Sequence, residues 1–151
     1  MRVLVIFSRP SKTGKKIMRI EFFMAMLPPT ITQQEKSITI RNGKPVVYEP
    51  AELKQAREKL RAHLAKHVPQ KSFTGPVWLG VKWCFPIRGR HRDGEYKAIK
   101  PDTDNLEKML KDVMEDLGFF KNDAQVASEH VEKFWAKVPG IYIVMETLED
   151  E

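Results

Sequence analysis

Hydrophobic and polar residues alternate with two different periods along the chain, which predicts a mixture of strands and helices. Apolar runs at residues 19–26 and 77–85 are each followed closely by proline and indicate strands. Apolar residues spaced three or four apart predict a helix within residues 50–67. The same spacing across residues 106–117 predicts a second helix, which ends at Gly118.

Turn dipeptides between apolar segments predict two antiparallel hairpins. Asn42-Gly43 lies between strand-like segments within residues 37–48, and this pair tolerates the positive φ angles of a tight type I′ turn. Pro139-Gly140 lies between two similar segments within residues 127–148. These elements predict an α/β domain of the α+β type, with a mixed sheet that contains antiparallel hairpins and with two principal helices.

The N-terminal segment is basic, whereas the rest of the chain is balanced in charge. The 151 residues carry 26 Lys or Arg and 20 Asp or Glu, a formal charge of +6. Six of the bases and none of the acids lie in the first 19 residues. We interpret residues 1–17 as a basic leader that need not be ordered, and residues 18–151 as the single folded domain.

Composition excludes several classes of protein. The single Cys84 cannot form an internal disulfide, and no Cys/His cluster has the spacing of a zinc site, which favours a reducing, cytoplasmic setting. No apolar stretch approaches the roughly 18–20 residues that a membrane helix needs. We therefore expect a soluble protein with no membrane partner.

Three aspartates and a lysine flank the second predicted helix. Asp102 and Asp104 are two positions apart, so in extended backbone their side chains point the same way. Lys108 follows Asp104 by four positions and projects from the same side of the helix, and Asp123 lies beyond the helix. Mg²⁺ prefers carboxylates, waters and phosphate oxygens, so this group suits metal-dependent phosphoryl chemistry in which Lys108 stabilises developing charge.

The same residues also have an ordinary structural interpretation. An Asp before a helix is a common N-cap, and Asp104 with Glu107 three residues later has the pattern of a capping box. An Asp and a Lys four positions apart form a common surface ion pair. From the residues alone, the catalytic and the structural interpretations both stay open.

The spacing of these motifs resembles that of the RusA family of Holliday-junction resolvases. The family pattern has Pro-Asp-x-Asp-Asn, a lysine four residues after the second Asp, a helix, and an acidic pair followed by Gln and an aliphatic residue. Weaker similarity extends back to about Met18. The corresponding residues here are Pro101-Asp102-Thr103-Asp104-Asn105, Lys108, and Asn122-Asp123-Ala124-Gln125-Val126.

The resemblance implies a bacterial or phage homodimer that cuts branched DNA at four-way junctions in recombination and repair, with Mg²⁺ or Mn²⁺ as cofactor. By this likeness Asp102, Asp104 and Asp123 hold the metal, and Lys108 is essential for cleavage. Asn122 stands where many relatives have an aspartate and supplies less charge to a cation, so the metal affinity and preference stay open. Residues 18–26 and the C-terminal hairpin are candidate dimer contacts.

A glycine-punctuated basic segment directly precedes the aspartates and suits contact with DNA phosphates. A solvated charged loop is the alternative interpretation of this segment. The alternative function for the whole chain is a junction-binding protein that does not cleave, and a metal-dependent enzyme for small phosphorylated substrates is a third. The residues expected to bind DNA are Arg88, Arg90, Arg92, Lys97 and Lys100.

Overall fold

Strands and helices follow one another in the mixed order that the sequence pattern predicts. A computed structural model describes residues 5–10, 14, 16–32 and 37–148. Short 3-10 turns follow the first helix and precede the sixth strand, at Ala65–His67 and Asp123–Gln125. The elements are β1 (Val5–Pro10), β2 (Lys16–Met24), β3 (Ser37–Arg41), β4 (Lys44–Tyr48), α1 (Ala51–Leu64), β5 (Val77–Pro86), α2 (Thr103–Leu117), β6 (Val126–Ala136) and β7 (Gly140–Thr147).

Five of these strands form one mixed sheet in the order β1-β2-β7-β5-β6, and β3 and β4 form a separate hairpin. β5 and β6 are parallel, whereas the other neighbouring strands of the sheet are antiparallel. A parallel pair needs a crossover connection, and here α2 lies within that connection. The fold class predicted from the sequence is therefore confirmed.

Burial alternates along β5, as expected for a strand with one face against helices. Leu79, Val81 and Trp83 belong to the same buried core cluster as Leu110 and Val113 of α2. The amphipathic spacing of α2 thus places its apolar face in the core and leaves the opposite face, with its charged residues, at the surface. In the described part of the chain, no helix is long and apolar enough to cross a membrane.

The first predicted hairpin is confirmed, whereas the second is wrong. Asn42 and Gly43 connect β3 to β4 with φ angles of 52° and 73°, as a type I′ turn requires. β6 and β7 are not hairpin partners, because β5 lies between them and pairs with both. The strongly apolar β5 takes the position between them, so the Pro139-Gly140 dipeptide connects two strands that are not neighbours in the sheet.

The sheet extends into the segment that the sequence assigned to a basic leader. β1 lies within residues 1–17 and pairs with β2 from Val5 opposite Glu21 to Pro10 opposite Lys16. Pro10, Ser11, Thr13 and Gly14 interrupt the sequence pattern of this segment, and its pairing with β2 is a contact that a local pattern does not show. The boundary at Met18 therefore does not coincide with the start of the sheet, and the assignment of residues 1–17 to a basic leader stays a prediction.

Candidate active site

The N-terminus of α2 differs from the predicted capping box. Asp102 occupies the N-cap position in extended conformation, its carbonyl accepts the hydrogen bond from Leu106 N at 3.1 Å, and its side chain forms no cap. Asp104 already lies within the first turn. The helix ends as predicted at Gly118, whose φ of 90° suits glycine.

Asp104, Lys108 and Asp123 line one surface pocket of about 280 Å³. The structure therefore brings together two of the three predicted metal ligands and the predicted catalytic lysine. Asp102 is not among the lining residues. The alternation of extended backbone does not apply to this pair, because the helix begins at Thr103 and turns by about 100° per residue. Glu107, Lys111 and Glu129 complete the lining of the pocket.

No three His, Cys, Asp or Glu side chains are arranged to hold a metal ion among the residues that the structure describes. The chemistry of the pocket nevertheless fits a hard cation, because four of its six lining residues are carboxylates. Lys111 forms an ion pair with Glu129 at 3.1 Å, whereas Lys108 is exposed at the pocket.

Glu107 is a buried carboxylate that sequence reasoning missed. It is 2% exposed, and its Oε1 accepts a hydrogen bond from Trp83 Nε1 at 2.8 Å. Its Oε2 is buried and receives no hydrogen bond from an N–H group of the described residues. Burial raises the pKa of Glu107 to about 8, the Trp83 bond lowers it, and the nearby Glu129 carboxylate raises it further. The sequence feature that could have indicated its burial is its position on the apolar face of α2, three residues before Leu110.

In the metal-free protein, Glu107 should make folding stability fall as pH rises. The folded state keeps the proton up to a pKa of about 8, whereas the unfolded state loses it near the ordinary value of 4.5. Within this window the unfolding free energy therefore decreases with pH. Through this group the wild type should lose roughly 3–4 kcal/mol of unfolding free energy between pH 5 and 8. Glu107→Gln, which retains the acceptor for Trp83, should not show this loss. Urea unfolding in EDTA measures it, and equal slopes in both proteins would contradict it.

The turn that carries Asp123 is fixed by hydrogen bonds from several directions. Asn122 Oδ1 accepts from Ala124 N at 2.8 Å, and Gln125 Oε1 accepts from Asn122 N at 3.2 Å, which together form a capping box. Asp123 N donates to Glu115 Oε1 on α2 at 2.7 Å. Asn122 thus uses its side-chain oxygen to cap the turn, a role in which it serves as well as an aspartate.

The basic segment before α2 is a loop, as expected, but its middle part pairs with β6. Gly94 N donates to Trp135 O at 2.8 Å, Trp135 N donates to Glu95 O at 2.8 Å, and Lys97 N donates to Lys133 O at 2.9 Å. This segment therefore covers the outer edge of β6, which would otherwise offer unpaired backbone groups. Four of the predicted DNA-binding residues are exposed, namely Arg88, Arg90, Arg92 and Lys100.

Lys97 is the exception among the predicted DNA-binding residues. It is 7% exposed, and its Nζ donates to Lys100 O at 2.6 Å. The ammonium group lies 5.0 Å from the ring centre of Phe85 and 4.5 Å from that of Trp135. These cation–π contacts give Lys97 a structural role. Lys97 is therefore less accessible than the other four basic residues, and a contact of Lys97 with DNA stays a prediction.

Lys133 was also missed by sequence reasoning. Its Nζ donates to Ile99 O at 2.7 Å and to Pro101 O at 2.8 Å. These bonds fasten the backbone directly before Asp102 to β6. Burial lowers the pKa of Lys133, whereas the carboxylate of Asp102 raises it. The Asp102 carboxylate therefore interacts electrostatically with Lys133, the lysine whose hydrogen bonds hold the backbone before Asp102 in place.

Comparison with known proteins finds one family and two similar chains. The model of the family Endodeoxyribonuclease RusA matches residues 27–146. The chain is 32% identical over 111 residues to the crossover junction endodeoxyribonuclease rusA of Lactococcus phage r1t, which covers 72% of this chain and 83% of the phage protein. It is 30% identical over 118 residues to the uncharacterized protein YqaN of Bacillus subtilis (strain 168), which covers 71% of this chain and 82% of YqaN.

Proposed function

We propose that this chain, which belongs to the RusA family and is an endodeoxyribonuclease, resolves four-way DNA junctions by metal-dependent hydrolysis of phosphodiester bonds. The observation that carries the proposal is the pocket that Asp104, Lys108 and Asp123 share. The name of the phage relative, a crossover junction endodeoxyribonuclease, supports the choice of substrate. Recombination and repair in a bacterial or phage-infected cell are the processes in which such junctions arise.

Asp104 and Asp123 would hold Mg²⁺ or Mn²⁺, with Asp102 as the third carboxylate of the proposed set. A bound ion of this kind activates water and neutralises charge on the reacting phosphate. Lys108 is exposed at the same pocket, where its ammonium group can donate to a phosphate oxygen or to the leaving oxygen. The Asp123 backbone bond to Glu115 keeps this carboxylate beside α2 while DNA binds.

The function requires two active sites, because a four-way junction becomes two duplexes only through paired cuts. We propose a two-fold homodimer. β2 and β7, which belong to the candidate contact segments (residues 18–26 and the C-terminal segment 127–148), are paired at both edges within the sheet. They can therefore meet a second subunit only through side chains on a sheet face, where Phe23 is 42% exposed.

A junction extruded as a cruciform in a supercoiled plasmid tests cleavage and pairing together. Paired cuts by a homodimer convert the plasmid directly to the linear form, with a nicked form only as a brief intermediate. The same plasmid without the cruciform is the control, and EDTA should stop the reaction. A protein that binds the junction but leaves the plasmid supercoiled would favour the alternative, a non-cleaving junction-binding protein.

Arg90 and Arg92 should contribute to DNA affinity rather than to chemistry. Both are exposed on the loop that covers β6. Each phosphate contact contributes about one unit to the dependence of log affinity on log salt. The double variant Arg90→Ala, Arg92→Ala should therefore bind a junction more weakly, with a slope shallower by about two units. Binding between 50 and 200 mM salt in EDTA measures this, and an unchanged slope would identify a merely solvated loop.

A further inference from the structure

We propose that Glu107 is a further ligand of the divalent cation in the pocket lined by Asp104 and Asp123. This inference rests on the proposed function, because it takes that pocket as the metal site. It adds to the family motif a residue that belongs to the interior face of α2. The side chain reaches the pocket from the core side rather than from the surface.

The first observation is the unpartnered oxygen of Glu107. Trp83 Nε1 donates to Oε1 at 2.8 Å and fixes the carboxylate. Oε2 is buried and no N–H donor of the described residues contacts it; its neighbour is the Glu129 carboxylate, and Glu107 lines the pocket. A buried carboxylate oxygen without a partner is costly, whereas metal coordination satisfies it. Oε2 is thus the oxygen left available to a cation.

The second observation is the charge of the pocket. Its lining contains the carboxylates of Asp104, Glu107, Asp123 and Glu129 and the ammonium groups of two lysines. Lys111 is engaged with Glu129 at 3.1 Å. The four carboxylates of the lining therefore outnumber its two lysines by two. With all groups ionised, this excess of two negative charges suits a divalent cation, whose charge would favour release of the proton that Glu107 holds in the metal-free protein.

A purely structural role for Glu107 would not require a carboxylate. A glutamine has the same shape and offers the same acceptor to Trp83 Nε1. The other buried residues of this helix are apolar, and their side chains need no polar partner. They are Leu106, Met109, Leu110, Val113 and Met114.

The test is a calorimetric titration with Mn²⁺ of the full-length protein bound to a four-way junction, in wild type and variants. We expect Glu107→Gln to weaken Mn²⁺ binding by at least ~10-fold, because even the loss of an outer-shell partner costs about 10–100-fold. Glu107→Asp keeps the charge and should recover part of this loss. Asp116→Asn is the matched control, because it removes one carboxylate of α2 that pairs with Arg61 at 2.9 Å instead of lining the pocket.

The outcomes separate this inference from the proposed function. Circular dichroism melting establishes that each variant is folded before it is titrated. If Glu107→Gln binds Mn²⁺ as wild type does while Asp104→Asn loses it, Glu107 is not a ligand and the proposed function stands. If wild type itself binds no Mn²⁺ with the junction present, both the inference and the metal-dependent mechanism fail. A weaker affinity in Glu107→Gln, with Asp116→Asn unchanged, supports the inference.

Discussion

Asp104→Asn should reduce junction cleavage by ~1000-fold or more while the protein still binds the junction. The substitution removes a carboxylate from the proposed metal site, and metal catalysis contributes several kcal/mol to transition-state stabilisation. A loss of about 4 kcal/mol corresponds to a factor of ~1000 in rate. Binding should persist or tighten, because the change removes a negative charge and leaves the exposed arginines in place.

Single-turnover cleavage and gel-shift assays on the same junction measure the two effects separately. Asp116→Asn provides the control, since it removes the same charge from the same helix outside the pocket. Asp123→Asn should behave as Asp104→Asn does, because both side chains line the pocket. Cleavage near the wild-type rate in either pocket variant would remove that residue from the proposed metal site.

Lys108→Ala should slow cleavage by about 100- to 1000-fold, the usual cost of removing one donor from a site of charge stabilisation. The lysine lies four residues after Asp104, and both side chains line the pocket. Metal binding should be retained, because no metal ligand is lost. Affinity for the junction should change only by the loss of one phosphate contact. The slope of log affinity against log salt should therefore become shallower by about one unit.

Lys54→Ala is the matched control for this prediction, since Lys54 is an exposed lysine on α1. Single-turnover rates at saturating enzyme and Mg²⁺ separate the chemical step from binding. If Lys108→Ala cleaves at the rate of the control, Lys108 has only the surface ion-pair role that its spacing also allows. Lys108→Arg then shows whether a positive charge alone is enough or whether the compact ammonium group is required.

The sequence predicts the elements of this fold better than their arrangement. Local rules identify α2 from its apolar spacing and the β3-β4 turn from Asn42-Gly43, because both depend on residues near one another in the chain. The insertion of β5 between β6 and β7 is a long-range pairing, and a turn dipeptide such as Pro139-Gly140 carries no information about it. The error in the second hairpin has this cause.

The candidate site shows the same division between local and distant information. Spacing on one helix places Asp104 and Lys108 on one side, and the structure brings Asp123 to the same pocket. The buried position of Glu107 was not predicted, because its hydrogen-bond partner, Trp83, lies on another element, 24 residues earlier in the chain. The burial of Lys97 could not be predicted, because a basic residue within a basic loop gives no sign of the two rings that pack against it.

Gln125 acts as a clamp between distant parts of the chain. Its Oε1 accepts from Lys121 N and Asn122 N, while its Nε2 donates to Phe73 O and Gly75 O at 3.0 Å. Only a side chain with a donor and an acceptor can satisfy both groups, so neither glutamate nor leucine of similar size substitutes for it. The glutamine of the motif therefore reflects architecture instead of chemistry. A Gln125 variant would therefore lose activity because Asp123 is displaced. A mutational scan that scores activity alone would wrongly identify Gln125 as a catalytic residue.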